Sequence, residues 1–161
     1  TQGDQFVAGA SGGITDIDIA LVNIDAADDL TLTLRSDSAG TPGAIIDTWI
    51  IDDALIPSTA GIVHVDADGL TNLVAGTTYW LIASAPSTSH YGWNLNDQDI
   101  TGQHCVSVPS TDCDDLIETE TLGAFRIEVD GAVVPEPATL ALLGLGFAGL
   151  GFSRRKRNAT R

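Results

Sequence analysis

The sequence predicts an all-β body, an antiparallel β-sandwich or jelly roll, followed by a single C-terminal hydrophobic helix that spans a membrane. Three observations lead there. Apolar and polar residues alternate with period two in several stretches between residues 5 and 130, the pattern of half-buried strands. These stretches are separated by clusters of Gly, Pro, Ser and Asp, the residues of tight turns, and no long amphipathic helix interrupts them. From Val133 the composition becomes abruptly apolar. A chain of 161 residues suffices for one core and an appendage, so residues 1–131 read as an acidic extracellular β-sandwich domain and 132–161 as a tail.

Taken in order, Ile17, Ile19 and Leu21 fall on one face of a first strand with Asp16 and Asp18 on the other. Leu30, Leu32 and Leu34 then alternate with Thr31, Thr33 and Arg35. Further strands are expected over residues 45–51, 61–65, 77–83, 91–95 and 124–130, where Phe125, Ile127 and Val129 oppose Arg126 and Glu128. The segments 38–43 and 66–69 are rich in turn formers. Tyr79 and Trp80 are adjacent on a strand, so they point to opposite faces and at least one belongs to the core. No internal repeat is present, which argues against a propeller or solenoid.

Charge is unevenly placed. Residues 1–134 hold 21 acids against Arg35 and Arg126, a net charge of -19, whereas residues 135–161 hold Glu136 against five basic residues. A body so acidic repels phosphate backbones and has no basic face, which excludes nucleic acid as a partner. The chain contains no Met, so Thr1 is expected to follow a removed start; no basic and apolar leader is visible in residues 1–13.

The tail has three blocks in order: Pro135-Glu136-Pro137, an uncharged run from Ala138 to Phe152, and Arg154-Arg155-Lys156-Arg157. Counted from Val133 the apolar stretch covers about 30 Å as a helix at about 1.5 Å per residue. Pro137 suits a first helical turn, and Glu136 meets the positive end of the helix dipole. The alternative is a buried helix of a soluble domain, but that would carry polar residues at helical spacing, and only Thr139 interrupts the apolar surface. Basic residues after an apolar span hold that end at the cytoplasmic face and leave the body on the far side.

These residues resemble the PEP-CTERM sorting signal of Gram-negative bacteria. The resemblance covers about the last 28 residues. It implies that Pro135, Glu136 and Pro137 are recognised by exosortase at the inner membrane, that the chain is cut at or near them, and that the product reaches the cell surface or exopolysaccharide matrix. Such a tail is a temporary handle, and the mature protein lacks it. A second resemblance rests on residues 30–43, on Ala75-Gly-Thr-Thr-Tyr-Trp-Leu-Ile-Ala83 and on Gly92-Trp93-Asn94-Leu95-Asn96. These are similar to the bacterial choice-of-anchor secreted β domains, which implies surface location and β architecture but no chemistry.

Cys105 and Cys113 enclose a short turn-rich loop, and in an exported protein such a pair is expected to form a disulfide. A metal pair or a reactive thiol beside His104 are the alternatives, although C-x-x-C spacing is absent. Hydrolase constellations can be assembled from His64, His90 and His104, but no nucleophile elbow, zinc-protease motif or phosphate loop is present, and no enzyme is expected. No cofactor is called for. Asp66/Asp68, Asp97/Asp99 and Asp112/Asp114/Asp115 offer oxygen ligands that can hold structural calcium, with solvated turn carboxylates as the bland reading. Tyr91 and Trp93 share a strand face and form the candidate sugar-stacking platform, against core packing. The expected function is a structural or adhesive matrix protein; a carbohydrate-binding module and a filament subunit that pairs with neighbouring copies are the alternatives.

Overall fold

The computed structural model describes residues 1–25, 27–107, 113 and 116–131. The chain divides into two units, Thr1–Gly131 and Ala132–Arg161. The second lies outside the described residues, and with it the expected membrane helix, Pro135, Glu136, Pro137, Arg154, Arg155, Lys156 and Arg157. Among the described residues no helix is long and apolar enough to cross a membrane.

The first unit is all-β and antiparallel. In chain order the strands are β1 (Gln2–Val7), β2 (Gly12–Asn23), β3 (Leu30–Ser38), β4 (Thr41–Ile51), β5 (Gly61–Asp66), β6 (Asn72–Leu73), β7 (Thr78–Ser84), β8 (Tyr91–Trp93), β9 (Thr101–Val106), β10 (Leu116–Thr121) and β11 (Phe125–Val129), with one 3-10 turn at Asp53–Leu55. Six strands form one sheet in the order β10-β9-β1-β7-β3-β4. The other sheet is organised around the long β2, flanked by β11 and β5, with β6 and β8 pairing its two ends. Of the connections, β3–β4 and β9–β10 join neighbours within the larger sheet; most others pass from one sheet to the other, as a sandwich requires.

The core between the sheets follows the alternation. Ile17, Ile19 and Leu21 of β2 and Leu30, Leu32 and Leu34 of β3 are buried together with Val63, Val65, Leu81 and Trp93. Phe6 stacks on Tyr79 and meets Phe125 edge-on, at ring-centroid distances of 5.8 and 5.5 Å. The strand β7 is buried on both faces. Tyr79, Leu81 and Ala83 join this core, whereas Trp80 and Ile82 form a second cluster with Cys105 and Cys113 on the opposite side.

Four strands, β1, β6, β9 and β10, lie outside the alternation pattern. β1 places Gly3, Asp4 and Gln5 in the middle of the larger sheet, where pairing with β7 and β9 on either side, not side-chain pattern, defines it. Gly3 is needed for close approach: a Cβ there would stand 2.8 Å from the Cys105 sulfur and 2.7 Å from Ile82 Cγ1. The segment 38–43, expected as one long turn, contracts to a tight hairpin: Thr41 onward is already strand, and Ala39 and Gly40 carry the positive φ angles, 55° and 87°. The carboxylate of Asp37 accepts from the Gly40 amide at 3.1 Å and, through its other oxygen, from Trp80 Nε1 and Gln5 Nε2 at 2.9 Å each. These hydrogen bonds, the Trp80 indole foremost, hold the Asp37 carboxyl below the usual carboxylate range.

Candidate functional site

Cys105, on β9, and Cys113 are joined by a disulfide with both residues fully buried. The alternatives of a metal pair or a reactive thiol therefore fall, since a bonded sulfur is neither ligand nor nucleophile. The bond holds Cys113 against Cys105 in the second cluster, beside Gly3.

All three histidines are bound through Nδ1 to an aspartate. The His104 ring on β9 meets Asp4 of β1 at 2.6 Å, the His90 ring meets Asp25 at 2.7 Å, and His64 on β5 contacts Asp18 of β2. Strand register explains the first and third, because Asp4 lies directly opposite His104 and Asp18 opposite His64. They differ in surroundings. Asp4 is wholly buried, and its second oxygen accepts the Gly123 amide at 2.6 Å. The hydrogen bond that His104 donates to Asp4 raises His104 above the ordinary imidazole value, outweighing burial, which acts the other way. By contrast the His64 and His90 rings are largely in solvent.

The solvent face of the smaller sheet is a grid of charged side chains in two rows across three strands. Arg126, Asp18 and His64 occupy one row; Glu128, Asp16 and Asp66 occupy the next. Asp18 is pushed up by burial, but hydrogen bonds from Arg126 and His64 prevail and hold it below the usual range. Asp16 is raised, first by desolvation and then by the neighbouring Asp18. Asp16, Asp18 and His64 place ligand atoms close enough for one metal ion, as do Asp29, Asp52 and Asp53. In the first cluster Arg126 already neutralises Asp18, with Nε at 3.0 Å. In the second, Asp29 accepts the Asp53 amide and Asp52 the Ala54 amide, so these carboxylates serve the 3-10 turn.

The expected calcium ligands are placed differently. Asp97 and Asp99 are exposed and gather no third described acid or histidine around them. Their loop is organised instead by Asn96, which accepts from the Gln98 and Ile100 amides and donates to Ile100 and Leu122 carbonyls. Asp112 and Asp114 lie outside the described residues.

Tyr91 and Trp93 do not form the expected flat stacking platform. Trp93 retains only 8% exposure, packs edge-on to Phe125, donates Nε1 to the Ala124 carbonyl at 3.2 Å and is pressed against Gly123. A ring so enclosed cannot offer its face to a sugar. Tyr91 is half-buried, and its hydroxyl donates to the Asp28 carbonyl. Burial raises that hydroxyl's pKa, with Asp53 and Asp29 adding to the effect. Both residues line a cavity of about 310 Å³ together with Leu21, Leu30, Ser89 and His90. Sequence reasoning missed Asp4 and Asp25; the available signal was an acid at a core-facing position of β1, two residues before Phe6.

No curated protein and no solved structure matches the chain. A model of the PEP-CTERM protein-sorting motif matches residues 133–156, the segment that holds the Pro-Glu-Pro element, the apolar run and the first basic residues after it. An all-β body is thus followed by an export address, and the chain carries a PEP-CTERM sorting signal, the mark of an exported protein anchored in the membrane and processed by exosortase.

Proposed function

We propose that the protein is a non-catalytic structural or adhesive component of the surface or exopolysaccharide matrix of a Gram-negative bacterium. The sorting motif at residues 133–156 carries this reading. A body with a net charge of -19 supports it, because strongly like-charged surfaces stay soluble and hydrated outside the cell. So does the disulfide, which persists in oxidising surroundings. Intact-mass spectrometry of protein from the native producer tests the proposal. The expected product sits in the surface or matrix fraction, ends near Pro137 and lacks two hydrogens at Cys105 and Cys113. Full-length protein retained in the cell interior with free thiols overturns it.

A second reading, a carbohydrate-binding module, is favoured by one observation: the cavity in which Tyr91 and Trp93 meet Ser89 and His90. Binding of exopolysaccharide fragments in isothermal titration calorimetry, weakened in Tyr91→Ala, is the result it requires.

A further inference from the structure

We propose that the free edge of β4 is a homotypic docking strand, through which two copies of the body join their six-stranded sheets antiparallel into one continuous sheet. β4 is the last strand in the larger sheet, eleven residues long, and among the described residues nothing pairs with its outer side. Ile45, Ile46 and Ile50 are 56%, 42% and 61% exposed. Proteins protect such an edge with charges, because a row of unpaired backbone groups beside apolar side chains recruits another strand. The other lateral strands do carry charges: Glu118 and Glu120 on β10, Arg126 and Glu128 on β11, His64 and Asp66 on β5. β4 has Asp47 alone, and both of its oxygens are engaged within the molecule, by the Thr48 amide at 2.7 Å and by the Thr71 hydroxyl.

The occupant follows from symmetry. Residues 45–51 read Ile-Ile-Asp-Thr-Trp-Ile-Ile, which is nearly the same in both directions about Thr48. Two antiparallel strands related by a two-fold axis at Thr48 therefore set Ile46 against Ile50 of the other copy and Ile50 against its Ile46. Asp47 then meets Trp49 and never another Asp47. An isologous contact of this kind needs one patch that complements itself. Two bodies of net charge -19 repel one another, so the contact should strengthen as salt screens that charge. This inference stands apart from the sorting signal and from the proposed surface role.

The described strands, core and disulfide all lie within residues 1–131, and that body is tested beside the full-length chain in detergent. Sedimentation equilibrium should show a monomer–dimer equilibrium that tightens between about 0.01 and 0.5 M salt as repulsion is screened. Ile50→Asp should weaken the dimer at least tenfold while leaving far-ultraviolet circular dichroism unchanged. Thr48→Cys should give a disulfide-linked dimer under mild oxidation, and Ile62→Cys, also exposed but on β5, should not. A body monomeric at every concentration and salt level, or a dimer indifferent to Ile50→Asp, overturns the proposal. So does Thr48→Cys that cross-links in the body but is shielded in the full-length chain in detergent, which would give the edge to the chain's own C-terminal segment. Processing near Pro137 would be unaffected by any of these results.

Discussion

The outer faces of the two sheets are opposites. On the larger sheet the outward side of β7 and β9 carries Trp80, Ile82 and Cys105, fully buried with Cys113 as a second apolar cluster. On the smaller sheet the outward side is the charged grid of Asp16, Asp18, His64, Asp66, Arg126 and Glu128. Both sheets share one core, so inward alternation looks alike in the two. What differs is the cover: on the larger sheet Cys113, bonded to Cys105, closes over Trp80 and Ile82, and among the described residues nothing comparable closes over the grid. The lesson is that a strand's second face is decided by its non-local cover and not by its own propensity.

The strongest way to break this contrast is to truncate its apolar half. Trp80→Ala removes a wholly buried ring and the indole donor to Asp37, and should cost about 3–5 kcal/mol in urea unfolding. The matched change on the other sheet, Ile62→Ala at a 64% exposed site, should fall within about 0.5 kcal/mol. Asp4→Ala comes next: it strips His104 and the Gly123 amide of their buried acceptor and should cost about 3 kcal/mol. Replacing Cys105 and Cys113 together with Ala frees an eight-residue separation and should cost about 2–3 kcal/mol by the loop-entropy relation; equal stability of the oxidised protein and this variant would mean the cover holds without its bond.

A smaller effect distinguishes the buried histidine from the exposed ones. Because Asp4 raises the folded-state value of His104, the stabilisation is fully present below the ordinary imidazole value of about 6.5 and is lost as pH rises through the raised folded value. Urea midpoints should therefore decline above neutrality, and His104→Gln should flatten that decline; an unchanged profile in the variant refutes the assignment. The smallest expected change is on the charged grid. Asp16 is raised by desolvation and by Asp18, so its ionised form opposes folding at neutral pH. Asp16→Asn should raise the thermal midpoint slightly in low salt, and the part of the gain due to Asp18 should shrink as salt screens the neighbouring charges while the part due to desolvation remains.

Wherever one face meets the core and the other meets water, the fold was legible. Ile17, Ile19 and Leu21, then Leu30, Leu32 and Leu34, sit buried as their alternation requires, and Tyr79 and Trp80 point into two different clusters as adjacent strand residues must. Where a strand lies in the middle of a sheet with polar residues at its core positions, periodicity fails. β1 is such a case, since Asp4 is buried only because His104 and Gly123, both distant in sequence, satisfy it. Trp93 shows the converse: its place on a strand face was readable, but its enclosure by Gly123 and Phe125 depends on packing that no local pattern records. The sorting segment was legible for a different reason: its three blocks stand in linear order within residues 133–156, the span that the motif matches.

The bond between Asp4 and Gly123 joins residues 119 positions apart. β1, near the start of the chain, is also a central strand whose two neighbours, β7 and β9, come much later. Its place in the sheet is therefore vacant until the end of the body has been synthesised, and closure of so long a loop is slow. The larger sheet can therefore close only after β7 and β9 are available to β1, so the first residues of the body are among the last to be fixed in place.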